Sequence, residues 1–223
     1  MTTPYPHATG RIGRTAAAAL ALAVLAAGTA LADQTETRPL PPFHGVHMEG
    51  HGDLDIRVGG DQRVTLTADD LGKVETEVED GILKIRQPTR RGWFSGDNDL
   101  DIEISVASLD EIKLSGSGDV EAEGIDADSF TLAVSGSGDA ELSGRCTSAK
   151  LSMSGSGDID ARDLRAEDVV LSISGSGDAS VHASGTLQVT VSGSGDVDVY
   201  GGPMVRQRVS GSGDITMHDD DDA

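Results

Sequence analysis

The chain has 223 residues and carries 38 acidic against 17 basic side chains, a formal net charge of −21. A field of that sign repels phosphate backbones and anionic bilayers, so it argues against a nucleic-acid partner and favours divalent cations or basic partners. Cys146 is the single cysteine, which leaves no intrachain disulfide and no paired-thiol redox or zinc motif; packing and backbone pairing must supply the stability.

In chain order, Arg11 and Arg14 precede an apolar run from Ala16 to Ala27, and Ala30-Leu31-Ala32 follows with small residues at both ends. This is the pattern of a secretory signal peptide spanning residues 1–32 and cleaved after Ala32. The apolar run is too short and too rich in alanine for a membrane span. The mature protein is therefore expected in the periplasm or outside the cell, with no integral membrane segment. Loss of the two leader arginines takes the net charge to −23. A flexible segment over 33–42 is expected next, then one domain over 43–217 and an acidic tail over 218–223.

Strands are predicted at Val46–Gly50, Leu54–Val58, Arg63–Thr67, Lys73–Glu79, Ile82–Arg86, Leu100–Val106 and Glu111–Leu114, with Asp80-Gly81 as a hairpin turn. In the first two, His47, Glu49, His51 and Asp53 fall on the outward face opposite Val46, Met48, Leu54 and Ile56. Two imidazoles and carboxylates suit zinc. Neighbours on one strand face stand about 6.6 Å apart, however, so a solvated face is the expected reading. Between strands, Pro88 to Asp99 gathers Arg90, Arg91, Trp93 and Phe94 on a predicted surface loop. Arginine and tryptophan are frequent binding anchors, so these four residues are the candidate partner contact.

The pentapeptide Ser-Gly-Ser-Gly-Asp then occurs six times, from Ser115, Ser135, Ser154, Ser174, Ser192 and Ser210, at intervals of 20, 19, 20, 18 and 18 residues. Its flanks are apolar and alternate with period two, as in Phe130-Thr-Leu132-Ala-Val134 before one copy and Ala140-Glu-Leu142 after it. Period two means strand, and a fixed phase excludes a flexible linker. A unit of about 19 residues cannot bury its own apolar face, but stacked units can. At about 3.3 Å per residue each unit traces about 60 Å, one circuit of a narrow solenoid with coils about 4.8 Å apart. The predicted fold is all-β, a right-handed parallel β-helix of about 18–20 residues per coil with less regular N-terminal strands. Glu49-Gly50-His51-Gly52-Asp53 reads as a degenerate seventh copy. The irregular N-terminal region is expected to cap one end of the stack, and Asp219 to Asp222 to guard the other by charge.

Stacking aligns Asp119, Asp139, Asp158, Asp178, Asp196 and Asp214 as a ladder, in which neighbouring carboxylates repel by about 1 kcal/mol in water. Either backbone N–H groups of each Gly-Ser-Gly turn offset this, or Ca²⁺ threads between coils. Calcium-binding nonapeptide repeats are half as long and carry one more glycine, so the turn-chemistry reading is preferred and no cofactor is expected.

The repeated pentapeptide, the Asp80-Gly81-x-Leu83-x-Ile85 segment and the late Gly201-Gly202-Pro203 resemble the head GIN domain family, also described as an auto-transporter adhesin domain. The resemblance covers Phe43 to Met217 and implies a β-helical, exported domain without an established activity. An autotransporter needs a C-terminal membrane barrel. Met217 to Ala223 resembles none, so self-transport is not expected. Hydrolase, phosphate-loop and zinc-protease motifs are absent from the sequence. The functional expectation is a non-catalytic, adhesin-like or envelope interaction module for a protein or glycan surface. The alternatives are a calcium-dependent structural module and, from another class, a carbohydrate-active β-helix enzyme.

Overall fold

The computed structural model describes residues 33–87 and 100–218. The leader, the loop bearing Arg90, Arg91, Trp93 and Phe94, and the aspartates after His218 lie outside the described residues. Strands β1 (Gln34–Thr37), β2 (Gly45–Gly50), β3 (Asp53–Val58), β4 (Arg63–Ala68), β5 (Glu75–Glu79), β6 (Ile82–Arg86) and β7 (Leu100–Val106) form the irregular part. Strands β8 (Glu111–Gly116), β9 (Val120–Gly136), β10 (Ala140–Gly155), β11 (Ile159–Gly175), β12 (Ala179–Gly193), β13 (Val197–Tyr200), β14 (Met204–Gly211) and β15 (Ile215–Met217) carry the repeats. No α-helix occurs among the described residues, and no helix there is long and apolar enough to cross a membrane.

The strands stack as a parallel β-solenoid of about five turns. One wall, formed by the segments after each pentapeptide, runs in the order β1-β4-β7-β3-β9-β10-β11-β12-β13-β15. The wall formed by the segments before it runs β5-β6-β2-β8-β9-β10-β11-β12-β14. Strands β9 to β12 round a corner and contribute to both. Equivalent residues pair in register, so Leu132, Leu151, Leu171 and Val189 form one buried column and Val134, Met153, Ile173 and Val191 the next. Each such side chain contributes about 1.5–3 kcal/mol through burial, which a lone coil could not realise.

The glycines of the pentapeptide stand where consecutive coils touch. Gly155 has φ +145°, and a Cβ there would lie 1.7 Å from the carbonyl oxygen of Gly136 in the previous coil. The degenerate copy joins the same series, with Gly50 paired to Gly116.

At the N-terminal end, spatial order departs from chain order. Strand β2 lies between β6 and β8, and β3 between β7 and β9. Strands β6 and β7 therefore form the outermost parallel turn, although they follow β2 and β3 in the chain. Antiparallel β4 and β5 close over that turn, and β1 pairs antiparallel with β4. This is the cap the irregular strands suggested. Asp80 (φ 53°) and Gly81 (φ 78°) form the expected hairpin turn between β5 and β6.

Two expectations need correction. Residues 34–37, read as part of a flexible segment, are strand β1, because β4 otherwise presents a row of unpaired N–H and C=O groups. The strand expected from Lys73 starts at Glu75 instead. Leu71–Lys73 form a 3-10 turn whose N-cap, Asp70, accepts from the Gly72 N–H at 3.1 Å and so holds the chain out of the ladder.

Candidate functional site

After each motif aspartate the wall strand alternates, so the aspartate and the residue two further on both point outward. Stacking turns that alternation into two columns of acid. The first contains Asp101, Asp53, Asp119, Asp139, Asp158, Asp178, Asp196 and Asp214. The second contains Glu103, Asp55, Glu121, Glu141 and Asp160, then Ser180, Asp198 and Thr216. An open hollow of about 850 Å³ lies along the columns, from Thr35, Thr65 and Thr67 at the N-terminal end to Asp158 and Asp160.

The first column is held by a repeated hydrogen bond. The backbone N–H of Asp139 donates to Asp119 Oδ1 at 2.8 Å, and the same bond joins Asp158 to Asp139, Asp178 to Asp158, Asp196 to Asp178 and Asp214 to Asp196, at 2.7–2.8 Å. Asp119 N–H donates likewise to Asp53 Oδ1 at 3.0 Å, so the degenerate copy is part of the ladder. The expected partner was an N–H of the aspartate's own turn; the observed donor is the equivalent amide one coil on. A charge-assisted bond contributes about 1.5–3 kcal/mol, which exceeds the repulsion of about 1 kcal/mol between solvated neighbours. Replacing Asp158 by alanine is therefore expected to cost about 1–2 kcal/mol by urea unfolding, because the Asp178 amide loses its acceptor. Asp158→Asn keeps an acceptor and removes one charge, and its stability should stay within about 0.5 kcal/mol of the parent.

The four outward residues of the degenerate copy do not converge. His47 Nε2 lies 2.5 Å from Glu111 Oε1, Glu49 pairs with Arg86 at 3.4 Å, and Asp53 serves the ladder. Among the described residues no three His, Cys, Asp or Glu side chains gather as a metal site would require. A hydrogen bond from Lys113, outweighing partial burial and joined by His47, holds the Glu111 carboxyl below its ordinary range. Burial raises the Asp160 carboxyl, but hydrogen bonds from the Arg162 guanidinium and N–H outweigh it and leave a net lowering. Burial pushes the Cys146 thiol up to about 11, away from the range of a nucleophile.

The family model for the putative auto-transporter adhesin, head GIN domain, matches residues 42–203. The chain belongs to that family. A crystal structure of a putative adhesin from Bacteroides fragilis aligns with the head GIN domain at TM-score 0.66 and 23% identity, covering 84% of this chain and 97% of that one. A putative lipid binding protein from Parabacteroides distasonis aligns at TM-score 0.55 and 21% identity, covering 83% and 96%. These likenesses show a shared fold. No curated protein matches the chain.

Sequence reasoning found the first acid column and missed the second. The signal was present at the position two after four of the six motif aspartates, where Glu121, Glu141, Asp160 and Asp198 stand. Only the register of the walls, which carries Asp55 and Glu103 into the same column, makes them one surface of the head GIN domain.

Proposed function

We propose that this head GIN domain is an exported, non-catalytic, adhesin-like module whose acidic wall docks a cationic protein or glycan surface. The observation that carries the reading is the pair of carboxylate columns along the hollow of about 850 Å³. Their spacing is set by backbone pairing, so the charge is preorganised and costs little ordering on binding. Family membership and the Bacteroides fragilis putative adhesin support a binding role. Export rests on the leader-like pattern of residues 1–32, and the Arg90–Phe94 stretch remains a second proposed contact.

The test is surface plasmon resonance of an oligolysine peptide over the immobilised mature chain. Affinity should fall at least about tenfold between about 50 and 500 mM salt, as expected for screened charges. E121K/E141K should weaken binding about tenfold, or about 1.4 kcal/mol, with the strand spectrum retained. Binding by the parent that ignores both salt and E121K/E141K would refute the acidic wall as the docking surface.

One observation favours the calcium reading as a second proposal. Among the described residues, the other carboxylate oxygen, Oδ2, of each ladder aspartate from Asp119 to Asp196 takes no hydrogen bond. The same experiment run in EDTA and in millimolar Ca²⁺, with a thermal melt alongside, separates the two. A calcium site at a hundred times its dissociation constant adds about 2.7 kcal/mol to stability and should block the peptide.

A further inference from the structure

We infer that the domain self-associates head to tail, with strand β14 of one copy pairing antiparallel with strand β5 of the next. Its charged contacts lie on the wall before the pentapeptides, apart from the Glu121 and Glu141 carboxylates that test the proposed docking wall.

Strand β14 pairs with β12 on one side only, and β5 pairs with β6 on one side only, so each presents a free edge among the described residues. Such edges recruit further strands unless they are blunted. The β14 end is not blunted by burial: Met204 (74% exposed), Val209 (39%) and Met217 (48%) are three of the four large exposed apolar side chains among the described residues. Arg206 and Arg208 stand outward on the same strand, and neither holds a salt bridge among the described residues.

Register supplies the complement. Followed strand by strand through the wall, the column of Arg208 ends at Glu77 and the column of Arg206 ends at Glu79. Strand β14 runs with the stack and β5 against it, so one copy placed on the next sets residues 206 and 208 opposite 79 and 77 in an antiparallel pair. Glu77 has no salt bridge among the described residues, and Glu79 meets Lys84 at the exposed turn. On the inward side Val209 falls in the column of Thr76, and Gln207 in that of Val78. On the other wall Asp214 shares a column with Thr35, because β4 and β1 carry Thr65, Thr67, Thr35 and Thr37 where the acid columns stop. Carboxylate therefore meets hydroxyl at that junction.

The symmetric pairings lack this complementarity. Two β14 edges centred on Gln207 would set Arg206 against Arg208, and two β5 edges would set glutamate against glutamate, both unfavourable across a strand pair. The head-to-tail contact is heterologous and does not close on itself, so it extends into linear chains.

Sedimentation velocity of the mature chain, residues 33–223, tests this. Species heavier than the monomer should grow with concentration. R206E/R208E, on an exposed edge, should abolish them and leave the circular dichroism melt unchanged. E77K/E79K should also abolish them, with E77Q/E79Q used in its place if that variant melts early. An equimolar mixture of R206E/R208E and E77K/E79K should restore assembly, since each junction then pairs opposite charges again. A parent that stays monomeric at every concentration, or assembly that survives R206E/R208E, would overturn the inference.

Discussion

Replacing Gly155 by alanine is expected to cost more than about 4 kcal/mol, a large share of the stability of most domains. Two effects add. The backbone at φ +145° disfavours any side chain, at about 1–3 kcal/mol. The new Cβ would also stand 1.7 Å from the Gly136 carbonyl oxygen. That carbonyl is fixed, since it accepts from the Ser156 N–H at 3.0 Å, and Gly155 accepts from Ser176 in turn. Separating the coils to admit a methyl group would break rungs on both sides of it. Two companions separate the effects. Gly157 lies outside the left-handed region, yet its Cβ would meet the Gly138 oxygen at 2.0 Å; Gly202, at φ +65°, has no atom within 4 Å. Urea unfolding should therefore rank the losses as Gly155→Ala, then Gly157→Ala, with Gly202→Ala last at about 1–2 kcal/mol. A Gly155→Ala protein no weaker than Gly202→Ala would mean the coils do not touch there.

Phe130→Ala should cost about 3–5 kcal/mol. Phe130 is the largest of the fully buried side chains among the described residues, and its partner in the next coil is Ala149. Truncation leaves two alanines side by side in a core whose walls cannot draw together, because the parallel rungs fix their separation. The cavity term should therefore be near the top of its usual range. Ala149→Gly, in the same column, removes one carbon and should cost about 1 kcal/mol beyond its backbone effect. Denaturant midpoints for the two variants check the ordering, and a Phe130→Ala loss below about 1.5 kcal/mol would show that the walls do collapse.

Much of this architecture was legible because it is periodic. The phase of the pentapeptide set the coil length, alternation set which residues face inward, and Asp80-Gly81 set one turn; each is a local rule that holds wherever its residues stand. The placement of β6 and β7 outside β2 and β3 was not legible. Nothing local distinguishes a turn stacked before its predecessor from one stacked after it, since both present the same alternating faces. Strand β1 was missed for a related reason. Gln34-Thr35-Glu36-Thr37 has no apolar face, and only the free edge of β4 gives it a partner. The ladder was half legible: alignment of the aspartates follows from the repeat, but the donor to each carboxylate lies 18–20 residues away for Asp119 to Asp214 and 66 away for Asp53 to Asp119.

The insertion of β2 between β6 and β8 bears on how the molecule is completed when its chain emerges from one end. Residues 45–58 appear early, but both of their lateral neighbours are encoded later, on β6–β7 and on β8–β9. That layer gains its first neighbour when Gly45 pairs with Ile82, and it is enclosed only when the 66-residue Asp53–Asp119 loop has closed, at an entropic cost that falls on this step. The repeats after Glu111 have neighbours adjacent in sequence and can add in order as they arrive. Nucleation is thus expected among the later coils, with the earliest-made segment clasped into place afterwards, so that the cap is sealed by the part of the chain that waited longest.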